Sequence, residues 1–254
     1  MTVKVIGIIP ARFASSRFPG KPLIPILGKT LLQRTYENAR QIAGLDQLII
    51  ATDDARISAH AAQFGAEVVM TSENCLTGTD RLAEVLQKHP SLMQSAAVVN
   101  IQGDEPCVNP QSVEQAIRLL LDDPIASMAT LETPLINEED AHNSSIVKCV
   151  MDQQKNAIYF SRALIPSNKK HQFNPQANYY RHIGLYVYRP DFLLHYQSLS
   201  PTPLQLEEDL EQLKILEHGY RIKAAVTDHA GIGVDTPEDL KKIEQFLCKQ
   251  NSFS

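Results

Sequence analysis

Short apolar runs alternating with stretches of helical spacing fill the first half of the chain, and this rhythm restricts the fold more than any other feature. Val3-Lys4-Val5-Ile6-Gly7-Ile8-Ile9 is short, β-branched and almost wholly apolar, as a strand buried on both faces of a sheet must be. Pro10 is expected to end it. Leu32, Thr35, Tyr36, Ala39 and Ile42 then recur at helical spacing. Further strands are expected over 47–52, 67–70 and 96–101, and helices over 54–64, 79–88 and 110–121. Pro110 opens the last of these in a first-turn position, where proline's missing N–H costs nothing. Strands separated by helices at this interval pair in parallel through right-handed crossovers. The fold class is therefore α/β, a Rossmann-like, mostly parallel sheet flanked by helices.

From about Ala126 the rhythm changes. Residues 126–132, 147–151, 157–160 and 180–188 read as strands without long helices between them, a small strand-rich subregion. Residues 167–177 read as an exposed polar loop, 209–217 as a helix, 221–226 as a strand, and 236–249 as a closing helix with Thr236 as its N-cap. No internal repeat is present, so 1–254 is read as a single domain with halves of about 1–125 and about 126–254.

A chain with 43% hydrophobic and 21% charged residues can bury a core without metal or disulfide staples. A net charge of −5 gives no general nucleic-acid surface, while leaving room for a locally basic site. Cys75, Cys107, Cys149 and Cys248 show no CxxC spacing and read as reduced, partly buried thiols rather than a zinc site. No apolar stretch approaches the ~20 residues of a membrane span, and the first ten residues lack a cleavable signal layout. The expectation is a cytoplasmic protein with no membrane insertion and no nucleic-acid partner.

Pro10-Ala11-Arg12-Phe13-Ala14-Ser15-Ser16-Arg17-Phe18-Pro19-Gly20-Lys21-Pro22 lies between the first strand and the first helix. In an open parallel sheet this is the usual place for a nucleotide. Small residues let backbone N–H groups approach a polyphosphate, and Arg12, Arg17 and Lys21 supply three cations within ten residues. The loop matches neither a Walker A sequence nor GxGxxG. A basic surface loop is the bland alternative.

Asn100-Ile101-Gln102-Gly103-Asp104-Glu105-Pro106 follows the fourth strand and places Asp104 at the same sheet edge. A carboxylate there can hold magnesium together with substrate phosphates, or can simply satisfy its own turn. Gly233-Val234-Asp235-Thr236-Pro237 offers a second carboxylate, Asp235, which can share that metal or serve the following helix's dipole. In the second half, His182, Gly184, Tyr186 and Tyr188 share one face of a strand, with Ile183, Leu185 and Val187 on the other. His182 and Tyr186 can hydrogen-bond, and Gly184 leaves room between them. Arg162 is a further cation, suited to a carboxylate ligand or to solvent. Leu210, Leu213 and Leu216 form a helical stripe, and Glu211 and Gln212 lie off it, toward a ligand or toward water.

Ile9-Pro10-Ala11-Arg12, Ser16-Arg17-Phe18-Pro19-Gly20-Lys21-Pro22, Ala51-Thr52-Asp53, Gly78-Thr79-Asp80-Arg81 and Asn100 to Pro106 stand in order along the chain. Tyr159-Phe160-Ser161-Arg162, Arg181-His182 to Tyr186, Leu210-Glu211-Gln212-Leu213 and Gly233 to Asp239 follow. Together these segments closely resemble the 3-deoxy-manno-octulosonate cytidylyltransferases, or CMP-Kdo synthetases, from about residue 4 to residue 246. The resemblance implies a fold of the nucleotide-diphospho-sugar transferase type, a homodimer, and transfer of CMP from CTP to the acid sugar Kdo for lipopolysaccharide synthesis. It implies that Arg12 and Lys21 grip the CTP phosphates beside Pro10, Ala11 and Arg17, and that Arg81 and Gln102 help hold the nucleotide. Asp104 and Asp235 would hold Mg2+. Gln102, Arg162, His182, Tyr186, Glu211 and Gln212 would surround Kdo.

Overall fold

Val5–Ala11 forms β1, which pairs in parallel with a strand on either side. The computed structural model describes residues 4–14, 18–229, 231, 233–234 and 236–251, without the side chains of 250 and 251. Arg17 and Asp235 therefore lie outside the described residues. After β1 come a short 3-10 turn, Lys21–Leu23, and a small hairpin of β2 (Pro25–Ile26) and β3 (Lys29–Thr30). Helix α1 (Leu31–Ala39) is capped by Thr30, whose hydroxyl accepts from the Gln33 N–H at 3.2 Å. Strand β4 (Gln47–Thr52), helix α2 (Ala55–Gln63), β5 (Glu67–Met70), α3 (Gly78–Lys88) and β6 (Ala97–Asn100) continue the alternation. The sheet order is β6-β1-β4-β5. Ile6, Ile8, Ile9, Ile49, Ile50, Val98 and Val99 are buried, as a sheet covered on both faces requires. Pro110–Asp122 forms α4.

β1 is longer than expected. It runs through Pro10 to Ala11, opposite Ala51 and Thr52 of β4. Its pairing with β6 ends at Ile8 opposite Asn100, so the missing N–H of Pro10 removes no ladder bond on that side. The proline thus does not stop the strand.

Cα packing divides the chain into two units, 1–114 with 231–254, and 115–230. The closing helix, Pro237–Asn251, belongs to the first unit, whereas the sequence reading counts it with the second half. In the first unit Val234 and Ile243 pack with Ile26 and Leu31, and Phe18, Cys107, Leu240 and Leu247 adjoin that cluster. This apolar contact carries the segment before the helix back to the stretch that follows β1.

In the second unit β7 (Ala126–Leu135) pairs in parallel with the last strand, Arg221–Val226, and antiparallel with Tyr179–Tyr188. Between them lie α5 (Glu138–His142), β8 (Lys148–Met151) and β9 (Ala157–Ser161). Tyr179–Tyr188 is β10 and pairs antiparallel with β8, which pairs with β9. Helices α6 (Pro190–Tyr196), α7 (Pro203–Glu208) and α8 (Glu211–Glu217) precede β11, the Arg221–Val226 strand. Residues 167–177 form no helix or strand, as expected. The mixed α/β class, with helices flanking a mostly parallel sheet, is the one expected from the strand rhythm.

Candidate active site

The loop after β1 is built around Phe13. Gly20 donates its N–H to the Phe13 carbonyl at 3.0 Å, and a Cβ on Gly20 would meet the Phe13 ring at 3.1 Å. Gly20 also has φ 73°, a left-handed value that glycine adopts without strain. The Arg56 guanidinium lies 3.4 Å from the centroid of the same ring and is held by Asp54, the N-cap of α2. Arg12 and Lys21 leave this clamp at its two ends. Arg12 is exposed, with one long bond of 3.5 Å from Nη1 to the Leu76 carbonyl. Most of its guanidinium therefore faces solvent, where an anion can reach it.

Lys21 and Asp104 come together. Nζ lies 2.5 Å from Asp104 Oδ2 and donates to the Val234 carbonyl at 2.7 Å. The lysine side chain is 15% exposed and the aspartate 33%. Their elements explain the meeting, because β1 and β6 are parallel neighbours and both loops leave the carboxyl ends. Gly103 permits the approach: a Cβ there would stand 2.8 Å from the Pro10 carbonyl. Thr35 of α1 donates its hydroxyl to the Gly103 carbonyl at 3.2 Å and fixes the turn from behind. The Val234 N–H donates to the Asp104 carbonyl at 2.9 Å, so the residue before Asp235 is tied to Asp104.

The donor chemistry here fits magnesium. Asp104 presents hard carboxylate oxygen at a partly open edge beside the Lys21 ammonium. Among the described residues no cluster of three or more His, Cys, Asp or Glu side chains encloses a metal. Magnesium, which takes one or two carboxylates plus substrate phosphates, does not need such a cluster.

Arg81 is placed differently from an open phosphate cation. It is 2% exposed, with Nη2 2.8 Å from Asp53 Oδ2 and Nη1 bonded to the Thr71 hydroxyl. This buried pair braces the loop after β4 against the segment after β5. Removing one partner of such a pair costs about 3–5 kcal/mol, against ~1 kcal/mol or less for an exposed pair. The neighbouring segment is gathered by Glu84, whose carboxylate accepts from the Ser72 N–H at 2.9 Å and from the Cys75 thiol at 2.9 Å. Burial pushes the Glu84 carboxyl up, but the Cys75, Lys88 and Ser72 bonds outweigh it and hold the group below its usual range.

In the second unit β10 brings His182 and Tyr186 together, but a register shift between Ile183 and Tyr186 interrupts the strict alternation expected through Gly184. His182 and Tyr186 are half-buried, with ring centroids 5.5 Å apart, and Phe160 meets the His182 ring edge-on at 5.0 Å. A register shift between Ile183 and Tyr186 is filled by the Thr130 hydroxyl, which donates to the Leu185 carbonyl at 2.8 Å. His182 Nε2 is 2.9 Å from the Thr130 hydroxyl oxygen; since that hydroxyl's proton goes to the Leu185 carbonyl, Nε2 is the donor and Nδ1 is left as the acceptor. Burial holds the imidazole down, to about 3, so His182 is a neutral hydrogen-bonding group at neutral pH. Burial also raises the Tyr186 phenol well above its usual value, so it keeps its proton. No Cβ contact within 4 Å crowds Gly184.

Arg162 spends three of its five N–H groups on the carbonyls of Glu208 (2.7 Å), Ser144 (3.2 Å) and Asp209 (3.3 Å). It therefore shapes the turn between α7 and α8 and keeps two donors for a ligand. Glu208, which sequence reasoning passed over, completes this knot. Its carboxylate accepts from the Ser161 hydroxyl at 2.5 Å and the Arg162 N–H at 2.8 Å. On α8, Gln212 is 4% exposed and does not face water, and Leu216 is only half-buried. Glu211 is half-buried, with the Tyr196 hydroxyl 3.4 Å from its Oε2. Asp53, Glu84 and Glu208 went unassigned because each acts on a partner 12 to 47 positions away. Only the Ala51-Thr52-Asp53 segment carried a signal, as part of the family pattern.

The sequence model of the family described as Cytidylyltransferase matches residues 6–222. A 3-deoxy-manno-octulosonate cytidylyltransferase of Protochlamydia amoebophila is 65% identical over 253 residues, covering 100% of this chain and 98% of that protein. The mitochondrial enzyme of that name from Arabidopsis thaliana is 48% identical, over 98% of this chain and 84% of its own length. Among solved structures, a CMP:2-keto-3-deoxy-manno-octonic acid synthetase complexed with CTP superposes with a TM-score of 0.90 at 38% identity, covering 97% and 99% of the two chains. A 4-diphosphocytidyl-2C-methyl-D-erythritol synthase from Anaerococcus prevotii shares the fold, with a TM-score of 0.66 at 14% identity over 97% and 96% of the chains. A family match over most of the chain, relatives of one name along its whole length and a sheet edge carrying Arg12, Lys21 and Asp104 converge, and the chain belongs to the cytidylyltransferases, among the 3-deoxy-manno-octulosonate cytidylyltransferases.

Proposed function

We propose that this chain, as a 3-deoxy-manno-octulosonate cytidylyltransferase, converts CTP and Kdo to CMP-Kdo and diphosphate for lipopolysaccharide biosynthesis through the residues assembled above. The observation that carries the residue assignment is the meeting of Lys21, Asp104 and Val234 at the carboxyl ends of β1 and β6. The anomeric hydroxyl of Kdo attacks the α-phosphorus of CTP in line. A P–O bond to the sugar forms, the bond to the β-phosphate oxygen breaks, the hydroxyl proton is released and diphosphate leaves. The protein forms no covalent bond to the substrates; it positions them and stabilises charge.

On the nucleotide side, Arg12, Arg17 and Lys21 hold the phosphates, and the backbone of Pro10 and Ala11 lines their approach. Gln102 serves CTP and Kdo. Arg81 acts through the bracing of Asp53 and Thr71, which its burial supports. Asp104 and Asp235 hold Mg2+, which when bound supplies positive charge to the phosphates and the transferred phosphorus. On the sugar side, the two remaining Arg162 donors suit the Kdo carboxylate. His182 Nδ1, the Tyr186 hydroxyl, Glu211 and Gln212 suit its hydroxyls. The assignment to residues rests on the family pattern and on hydrogen-bonding capacity. We further propose one catalytic domain, 1–254, acting as a homodimer in the cytoplasm; no helix of the described residues is long and apolar enough to cross a membrane.

Diphosphate release tests this reading, with CTP, Kdo and Mg2+ set against GTP, ATP and UTP, and against sialic acid in place of Kdo. Release with CTP and Kdo alone is expected. Release only with a different acid sugar would replace the acceptor, and silence with every pair from a folded, CTP-binding protein would contradict catalysis.

A further inference from the structure

We propose that the Lys21 ammonium and a divalent cation are alternative occupants of the Asp104 carboxylate. Nucleotide binding, by drawing the lysine onto phosphate, opens that carboxylate to metal. The inference rests on the assignment above of Asp104 as a metal carboxylate and Lys21 as a phosphate ligand.

Its ground is the position of Nζ, which is 2.5 Å from Oδ2 of Asp104 and donates to the Val234 carbonyl at 2.7 Å. An ammonium at that distance occupies one of the lone-pair directions that a magnesium ion, bound at about 2.0–2.1 Å, would use. Two cations on one carboxylate also repel each other strongly at a site that water only partly reaches. The lysine further holds the backbone of Val234, directly before Asp235, so one side chain ties both segments that would carry metal carboxylates.

Lys21 is suited to leave. It opens a 3-10 turn behind Gly20, and its four-carbon stem can redirect the ammonium without moving the backbone. A polyphosphate beside the loop offers the ammonium more negative charge than one carboxylate. When the lysine turns to phosphate, Asp104 is left with a free oxygen and a favourable need for a cation. Metal and nucleotide therefore promote each other's binding by the same factor, as linkage requires. Metal alone meets an occupied carboxylate and binds weakly, which favours loading of the two together.

The experiment is a titration of the protein with Mn2+ in the absence of nucleotide, followed by the EPR signal of free Mn2+. Wild type, Lys21→Met, Lys21→Gln and the double variant Lys21→Met/Asp104→Asn are compared, with near-UV circular dichroism confirming native packing. The single variants are expected to bind Mn2+ about tenfold more tightly than wild type, within the usual range of coupling between sites. The double variant is expected to lose that gain. A structural defect at position 21 would weaken metal binding, so a gain separates competition from damage. Equal or weaker Mn2+ binding in both single variants, with the double variant binding more weakly still than Lys21→Met, would overturn the competition and leave the metal assignment standing. A gain that persists in the double variant would overturn both.

Discussion

Gly103 shows how closely the site depends on single side chains. A methyl at this position would stand 2.8 Å from the Pro10 carbonyl oxygen, a backbone atom that cannot swing aside. Gly103→Ala must push β1 and the Asp104 turn apart, and overpacking of this kind costs about 1–3 kcal/mol. The variant is expected to show a lower urea midpoint and a diphosphate-release rate that falls further than stability explains, because Asp104 moves from Lys21. An unchanged midpoint and rate would show that the loop does not need the close approach. At this scale the sequence was legible where a residue acts alone. Asp104 and Lys21 were read as site residues from their places after strands. Arg81 was expected, from the family resemblance, to help hold the nucleotide; nothing local shows that Asp53, 28 positions earlier, and Thr71 will enclose it.

The elements differ in how plainly the sequence declares them. Strands β1, β4, β5 and β6 are continuous apolar runs, and α2 and α3 carry amphipathic stripes with Asp54 and Thr77 as caps. Helices α5, α6 and α7 span only five to seven residues, too short to repeat a helical period, and were not anticipated. The turn between α7 and α8 depends on Asp209 in a left-handed conformation, φ 53°, and on the Glu208 knot, neither of which a residue pattern reveals.

Strand β7 carries the least expected group. Glu132 is fully buried between β10 and β11, and neither carboxylate oxygen has a hydrogen-bond partner of good geometry. Burial raises its carboxyl well above 4.5, opposed only by the nearby Cys149 thiol, so the folded protein holds this proton to higher pH than the unfolded chain does. In the unfolded chain the same group ionises as pH rises through about 4.5. The unfolded state then binds fewer protons than the folded one, so the stability that Glu132 contributes is full below about pH 4.5 and is lost as pH rises above it. Glu132→Gln removes this titration while keeping the shape. Its melting temperature is expected to exceed that of wild type at pH 7.5, with the gap closing toward pH 4.5. A variant less stable than wild type at pH 7.5 would mean that Glu132 is ionised and held by a specific partner.

Over the whole molecule, the closing helix matters more than its place in the sequence suggests. Its Ile243 packs with Val234, Ile26 and Leu31, which keeps the segment before it in the first unit and sets Val234 against Lys21 and Asp104. The α/β class and the sheet edge from which the loop after β1 leaves could be read from alternation alone. The return of the C-terminal segment could not, since it depends on apolar contacts across more than 200 positions. The residues proposed here for the sugar came from the family pattern; the structure adds a neutral His182, a protonated Tyr186 and an Arg162 with donors to spare.

The central claim is that CTP and Kdo are joined at the Lys21–Asp104 centre. Its most direct test is the rate of diphosphate release by Asp104→Asn at saturating CTP, Kdo and Mg2+, beside its melting temperature. The aspartate is one-third exposed and at a loop, so the fold should survive. The account predicts a rate about 100-fold or more below wild type, the scale of losing a group that stabilises transition-state charge, with a near-native melting temperature. A near-normal rate from the folded variant would contradict it and move the chemistry away from Asp104.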